Sequence, residues 1–277
     1  MNDGATRHIT LCADDYGISP AVSAAIRDLV ARGRINATSV MVTSPHFNSA
    51  EAGSLREAAA ARAAIGLHVT LTAPSKPLSQ DYAPLRAGAF LPLAATVLRA
   101  ELRRLRPALL RLEIAKQFET FTQAFGRPPD YVDGHQHVHL FPQIREAVLN
   151  VAKIAAPGAW VRQCGQPARQ KSWRDPKGLF LDGVSNRFRR LAEAAGVRTN
   201  PAFSGTYAFR PADDFQALFP RFLDGMPDGG VVMCHPGRVD AELRQLDPLT
   251  DLREREYAFF LGNEFPQLLQ RRGYALA

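Results

Sequence analysis

Short apolar or β-branched runs alternate along the chain with longer stretches whose apolar residues recur at helical spacing, and each short run ends in a polar or glycine-containing turn. Ile9-Thr10-Leu11-Cys12-Ala13 predicts a first strand that stops at Asp14-Asp15-Tyr16-Gly17. Ser19-Pro20 supplies an N-cap and a first-turn proline, so a helix is predicted through Ala31, ending near Gly33. The β-branched run Thr38 to Thr43 predicts a second strand, and the alanine-rich residues 49–64 a helix. Ile65 to Thr72 predicts a third strand carrying His68, and the Pro- and Gly-rich residues 73–95 an irregular excursion. A long helical stretch interrupted at Pro107 runs to Phe125 and is closed by Gly126-Arg127-Pro128-Pro129. Tyr131-Val132 is a short strand, and a helix follows over 142–155.

Ala159 to Arg162 predicts another strand, whereas 163–182 holds too many polar, Gly and Pro residues to assign. Helices are expected over 184–195 and 212–224, a strand over Gly229 to Cys234, and a last helix over roughly 250–271. Strand, loop and helix recurring in this order imply an α/β chain with a mainly parallel sheet or barrel. In such folds ligands gather at the carboxyl ends of the strands. Asp14-Asp15, His68, His135 and His235 all fall at such ends and would converge on one mouth. Taken singly, each has a plain structural reading: an N-terminal turn, a core histidine, a loop histidine, a turn before proline.

The segment Tyr131-Val132-Asp133-Gly134-His135-Gln136-His137-Val138-His139 holds three of the seven histidines. At period two, an extended segment places His135, His137 and His139 on one side. Imidazoles pointing one way suggest a metal site or proton-transfer machinery, and one carboxylate with two imidazoles is a ligand set that leaves positions open for water and substrate. A half-buried strand end with solvated histidines would read the same way.

Composition narrows the setting. With 277 residues, 46% of them apolar, and no evident linker, one large domain over 1–277 is expected. Cys12, Cys164 and Cys234 lie far apart without a CxxC pair, which suggests neither a disulfide framework nor a zinc ribbon. The polar start Met1 to His8 leads into an apolar run too short for a signal peptide or a membrane span, so a cytoplasmic location is expected, with peripheral membrane contact left open. The formal charge of +7 invites a polyanion, yet the arginines are dispersed. Their densest run, Arg99 to Arg111, reads as a solvated helix face, and no nucleic-acid motif appears. No nucleic-acid partner is expected; an anionic or lipid-linked substrate fits the charge better.

Four blocks, Ala13-Asp14-Asp15-Tyr16-Gly17-Ile18-Ser19, Gly66 to Thr72, Asp133 to His139 and Met233-Cys234-His235-Pro236-Gly237, together resemble the YdjC family of carbohydrate deacetylases, which includes chitooligosaccharide deacetylases and hopanoid-associated members. The blocks stand in family order across residues 8–238. The resemblance implies a deformed (β/α) barrel related to polysaccharide deacetylases, one divalent metal ion (Mg²⁺ or Zn²⁺), removal of acetyl from an N-acetylated sugar or glycolipid headgroup, and a homodimer. It also implies Asp15, His68 and His135 as metal ligands, Asp14 as general base and His235 as general acid. Tyr16 stands where the family frequently has Phe, and 163–210 matches no family block.

These roles suit the chemistry. An amide is a poor electrophile and neutral water a poor nucleophile; a divalent ion addresses both, and a neighbouring carboxylate removes the proton. Adjacent residues point in different directions, so Asp15 can ligate while Asp14 faces the water. Arg162, at a strand end, either orients Asp14 or is a surface charge. Tyr16, His137 and His139 are expected as substrate contacts or as supports behind the ligands, since three protein ligands suffice. Two rival readings are a non-haem iron oxygenase, disfavoured by the helix-rich alternation, and a sugar-binding protein, which would have no need for a base beside a metal.

Overall fold

A computed structural model describes residues 5–60, 62–171 and 176–277. In order, the elements are β1 (Arg7–Tyr16), α1 (Pro20–Ala31), β2 (Ala37–Val40), α2 (Ser49–Ala59), β3 (Ala64–Val69), α3 (Leu93–Glu101), α4 (Pro107–Phe125), β4 (Tyr131–Gly134), α5 (Ile144–Ala155), β5 (Trp160–Val161), α6 (Pro176–Ala195), β6 (Phe203–Ser204), α7 (Phe215–Phe222), β7 (Gly230–Cys234), α8 (Ala241–Leu246), α9 (Asp251–Leu261), α10 (Glu264–Arg271) and β8 (Tyr274–Leu276).

The strands run β5-β4-β3-β2-β1-β7-β6, every ladder parallel, and β8 joins the start of β1. β1 is central because Ile9, Leu11, Cys12 and Ala13 are buried on both faces, the signature of a strand with helices on either side. α1 begins where the capping residues demand it: Ser19 Oγ accepts from the Val22 N–H and Pro20 opens the first turn. Its Val22, Ile26, Leu29 and Val30 are buried. Between β5 and β6 the ring closes through a seam, not a ladder: a single Val161–Thr199 bridge, Val161 N–H to the Arg198 carbonyl, and Phe203 N–H to the Gly165 carbonyl. The fold is therefore a deformed (β/α) barrel, and parallel strands deliver their carboxyl ends, with the loops that follow, to one mouth.

Several elements depart from the sequence reading. α2 ends at Ala59 and β2 at Val40, each earlier than propensity alone predicts, because alanine and β-branched residues continue past the point where the chain must turn. The last helix is broken at Gly262, α8 precedes it, and β8 follows. β6 and β8, two and three residues long, are too short for a periodicity signal. Residues 1–4 of the polar start, residue 61 of the predicted helix, and 172–175 of the unassigned stretch lie outside the described residues. No helix among the described residues is long and apolar enough to cross a membrane.

Candidate active site

The site begins with an irregularity in β1. Ala13 pairs with Thr38 and Tyr16 with Val40, so β1 carries one residue more than β2 across this step, and Asp15 takes a left-handed backbone (φ 68°). Such a bulge re-aims side chains, and aspartate is among the few residues that tolerate positive φ. Asp14 and Asp15 consequently meet different partners.

Asp14 turns toward Arg162, whose fork grips both oxygens: Nη1 donates to Oδ2 and Nη2 to Oδ1, each at 2.7 Å. The same guanidinium lies 2.5 Å from Asp133 Oδ2, and all three side chains are buried. Arg162 is thus no surface charge. Cys12, Asp14 and Asp133 also form a compact group of candidate metal donors, but Arg162 Nη2 already lies 2.9 Å from Cys12 Sγ and supplies the cation there. Asp133 reaches on to His68: its Oδ1 accepts from Nδ1 at 2.6 Å, while Oδ2 accepts from Ser39 Oγ at 2.5 Å. This link follows from register, since His68 and Asp133 are direct partners in the β3–β4 ladder. Burial would raise the Asp133 carboxyl, yet Arg162 and His68 hold it down at about 2.

Asp15 Oδ1 lies 2.9 Å from His135 Nδ1 and 3.3 Å from His68 Nε2, while Oδ2 accepts from Arg253 Nη2 at 2.6 Å. Burial opposes ionisation of Asp15, but Arg253 and His135 keep it well below the usual carboxylate range. The ligand atoms of Asp15, His68 and His135 fall within 4.8 Å of one another. This donor set fits a divalent ion. His68 is oriented from behind by a carboxylate, as metal-bound imidazoles usually are. Burial pushes the His68 imidazole down, yet Asp133, Asp14 and Asp15 outweigh it and raise it to about 10. The surroundings favour positive charge at this point.

The three clustered histidines do not share a side. His135 to Leu140 forms a 3₁₀ turn in which Gln136 and His137 have left-handed backbones (φ 54° and 59°), which destroys the period of two. Only His135 faces Asp15. His137 Nδ1 lies 3.6 Å from Cys164 Sγ, and its ring meets Phe203 edge-on. His139 is buried against Phe188, and its Nε2 donates to the Arg162 carbonyl at 2.8 Å; burial lowers its imidazole to about 4. Gly134 makes room for it, as a Cβ there would come within 2.8 Å of His139 Nδ1. His139 therefore supports the Arg162 backbone from within the core. Tyr16 also turns away from the mouth: past the bulge its hydroxyl donates to Glu51 Oε2 at 2.8 Å and accepts from Arg27.

His235 follows β7 at the same mouth. Burial, against the pull of Asp15, pushes its imidazole down to about 4. Its backbone N–H donates to Glu256 Oε2 at 2.5 Å. Glu256 and Arg253 stand one turn apart on α9, fully buried, so one helix face reaches both His235 and Asp15. Arg253 also donates to Asp247 Oδ2 at 2.6 Å. Sequence reasoning missed Asp133, Arg253 and Glu256. Asp133 immediately precedes Gly134-His135 and is the residue facing His68 once β3 and β4 are paired. Arg253 and Glu256 share a helix face with the apolar Phe260, a signal hidden in the charged run Asp251 to Glu256.

A cavity of about 450 Å³ opens at the carboxyl ends of the strands, lined among others by Ile18, Met41, Lys76, His135, Gln136 and Asp247. A larger hollow of about 660 Å³ beside α7 and α9 contains none of the converging residues, so chemistry rather than size locates the site.

The profile of the YdjC-like protein family matches residues 8–271. The chain belongs to this family. A chitooligosaccharide deacetylase from Escherichia fergusonii is 30% identical over 245 residues, covering 86% of this chain and 85% of that protein. Among solved structures, an Enterococcus faecalis V583 protein whose assignment to cellobiose-phosphate cleavage is provisional superposes with a TM-score of 0.75 at 22% identity, covering 99% of this chain and 97% of its own. A Streptococcus mutans CE4 esterase superposes at 0.50 with 14% identity, covering 98% and 85%. These two likenesses concern the fold: the YdjC-like chain shares its barrel with carbohydrate esterases.

Proposed function

We propose that this YdjC-like protein is a divalent-metal-dependent hydrolase that removes the N-acetyl group from an amino sugar, oligosaccharide or glycolipid headgroup, using a single domain over 1–277. The observation that carries the reading is the split of two adjacent aspartates, one beside two imidazoles and one locked to a buried arginine. Asp15, His68 and His135 would hold Mg²⁺ or Zn²⁺, which supplies polarisation of the acetyl carbonyl and a more acidic water. Asp14 is the base. Arg162 fixes both its oxygens, and each retains a lone pair in the carboxylate, so the water proton has a defined acceptor. Attack on the carbonyl carbon is followed by C–N cleavage, giving acetate and an amine. His235 donates the proton that the departing nitrogen needs. Its acid form is consumed as pH rises, and with burial drawing the imidazole down to about 4 the fall of kcat/KM for amides on the alkaline side should set in well below neutrality. A cytoplasmic location and a homodimer belong to the same reading.

Acetate release from di-N-acetylchitobiose, measured before and after chelation and after metal is restored, tests it. Release that vanishes on chelation and returns with metal is the expected result. Sugar binding without acetate would favour the binding-protein alternative, and sugar-dependent oxygen consumption the oxygenase.

A further inference from the structure

Glu256 has no part in the chemistry above, yet it is fully buried and both its oxygens are engaged at the acid side of the mouth. Oε2 accepts from the backbone N–H of His235 at 2.5 Å, and Oε1 accepts from the Tyr207 hydroxyl at 2.7 Å. Tyr207 packs on Phe209 with ring centroids 4.0 Å apart, and Phe209 meets the His235 imidazole edge-on at 5.4 Å. Phe209 does this from a left-handed backbone (φ 54°), a conformation that is strained for a bulky side chain and persists only where the surroundings enforce it. The enforcement is visible at both ends of the segment. Gly205 lies so close to the backbone of β7 that a Cβ would collide with the Met233 carbonyl, and Tyr207 is tied to α9 through Glu256.

We propose that Glu256 is a positioning residue for His235, setting the imidazole from below through the backbone N–H and from the side through the Tyr207–Phe209 pair. The proposal rests on the reading of His235 as the proton donor. The imidazole stands at a strand end followed by Pro236-Gly237, and a donor misplaced by about 1 Å loses roughly 10²-fold in rate. Burial pushes the Glu256 carboxyl up to about 7, against the hydrogen bonds from Tyr207 and His235. The group is held here at a cost, which an ordinary turn support would not require.

The test uses the full, Zn²⁺-loaded chain and compares wild type with Glu256→Gln and Tyr207→Phe. The carboxamide cannot accept on both sides, and the phenylalanine removes only the hydroxyl. Expected is loss of the proton contact between the His235 and Phe209 rings in nuclear magnetic resonance spectra, with metal content unchanged. In the same variants kcat for an N-acetylated sugar should fall by roughly 10- to 10²-fold at nearly constant KM. An aryl acetate, whose good leaving group needs no proton, should fall far less. A ring contact that persists in both variants overturns the proposal, as does an equal fall for amide and ester, which a merely structural role would produce. If Glu256→Gln does not fold, Tyr207→Phe carries the same comparison. Wild-type protein that releases no acetate while the ring contact still depends on Glu256 would sink the deacetylase reading and leave the positioning role standing.

Discussion

The two sides of the mouth are built by different means. On the β1–β3–β4 side, Asp14, Asp15, His68, Asp133, Arg162 and His135 form a continuous chain of charge-assisted contacts between 2.5 and 3.3 Å, set by strand register. On the β7 side, His235 is held by its backbone N–H, an aromatic edge and one helix face. Strand register fixes Cα positions directly, so the first side is over-determined. The second depends on two hydrogen bonds to one carboxylate. The lesson is that changes on the first side should remove the metal or the base outright, whereas changes on the second should alter which substrates are turned over.

The largest expected effect tests the first side. His68→Ala or His135→Ala should abolish both metal retention and activity, because one of the three proposed ligands is gone. Full metal content in the purified variants, measured by plasma mass spectrometry, would remove that residue from the ligand set. Next, Asp14→Asn should keep its metal and lose roughly 10²–10⁴-fold in kcat. The variant should still fold, since Asp133 continues to neutralise Arg162. Near-normal turnover would move the base elsewhere. Asp133→Asn should weaken metal affinity by about 10–100-fold by taking the carboxylate from behind His68. Competition against a chelator checks this, and unchanged affinity would mean that register alone orients the imidazole. Smallest of all, Tyr16→Phe should leave turnover within about twofold and cost about 1–2 kcal/mol of stability, because the hydroxyl's hydrogen bonds to Glu51 and Arg27 are lost while those two side chains remain paired with each other. A large loss of activity with intact folding would return Tyr16 to the mouth.

Much of the first side was legible in the sequence because its residues sit at strand ends with local signals. Ser19-Pro20 marked the start of α1, and Asp14-Asp15, His68, His135 and His235 each followed an apolar run. The supports were harder to read for physical reasons. Asp133 acts through a partner 65 positions away, so pairing of β3 with β4 had to be known first. Arg253 and Glu256 reside in a helix whose charges resemble a solvated surface until its buried face is identified. The expected alignment of His135, His137 and His139 failed because left-handed backbones at Gln136 and His137 are not encoded by side-chain periodicity. Tyr16 was placed beside the aspartates by sequence proximity and carried off by the bulge.

That bulge carries a consequence for how such a barrel could change trade. The ladder between β1 and β2 holds on both sides of it, with Ala13 opposite Thr38 and Tyr16 opposite Val40. Loss of a single codon at this step would let the strand run straight, keep its apolar residues in place, and leave one carboxylate where two had separate addresses. The descendant would keep the barrel and lose one of the two carboxylates to which the proposed function assigns separate roles. Ancestor and descendant would differ by one residue, and the hydrophobic core would record none of it.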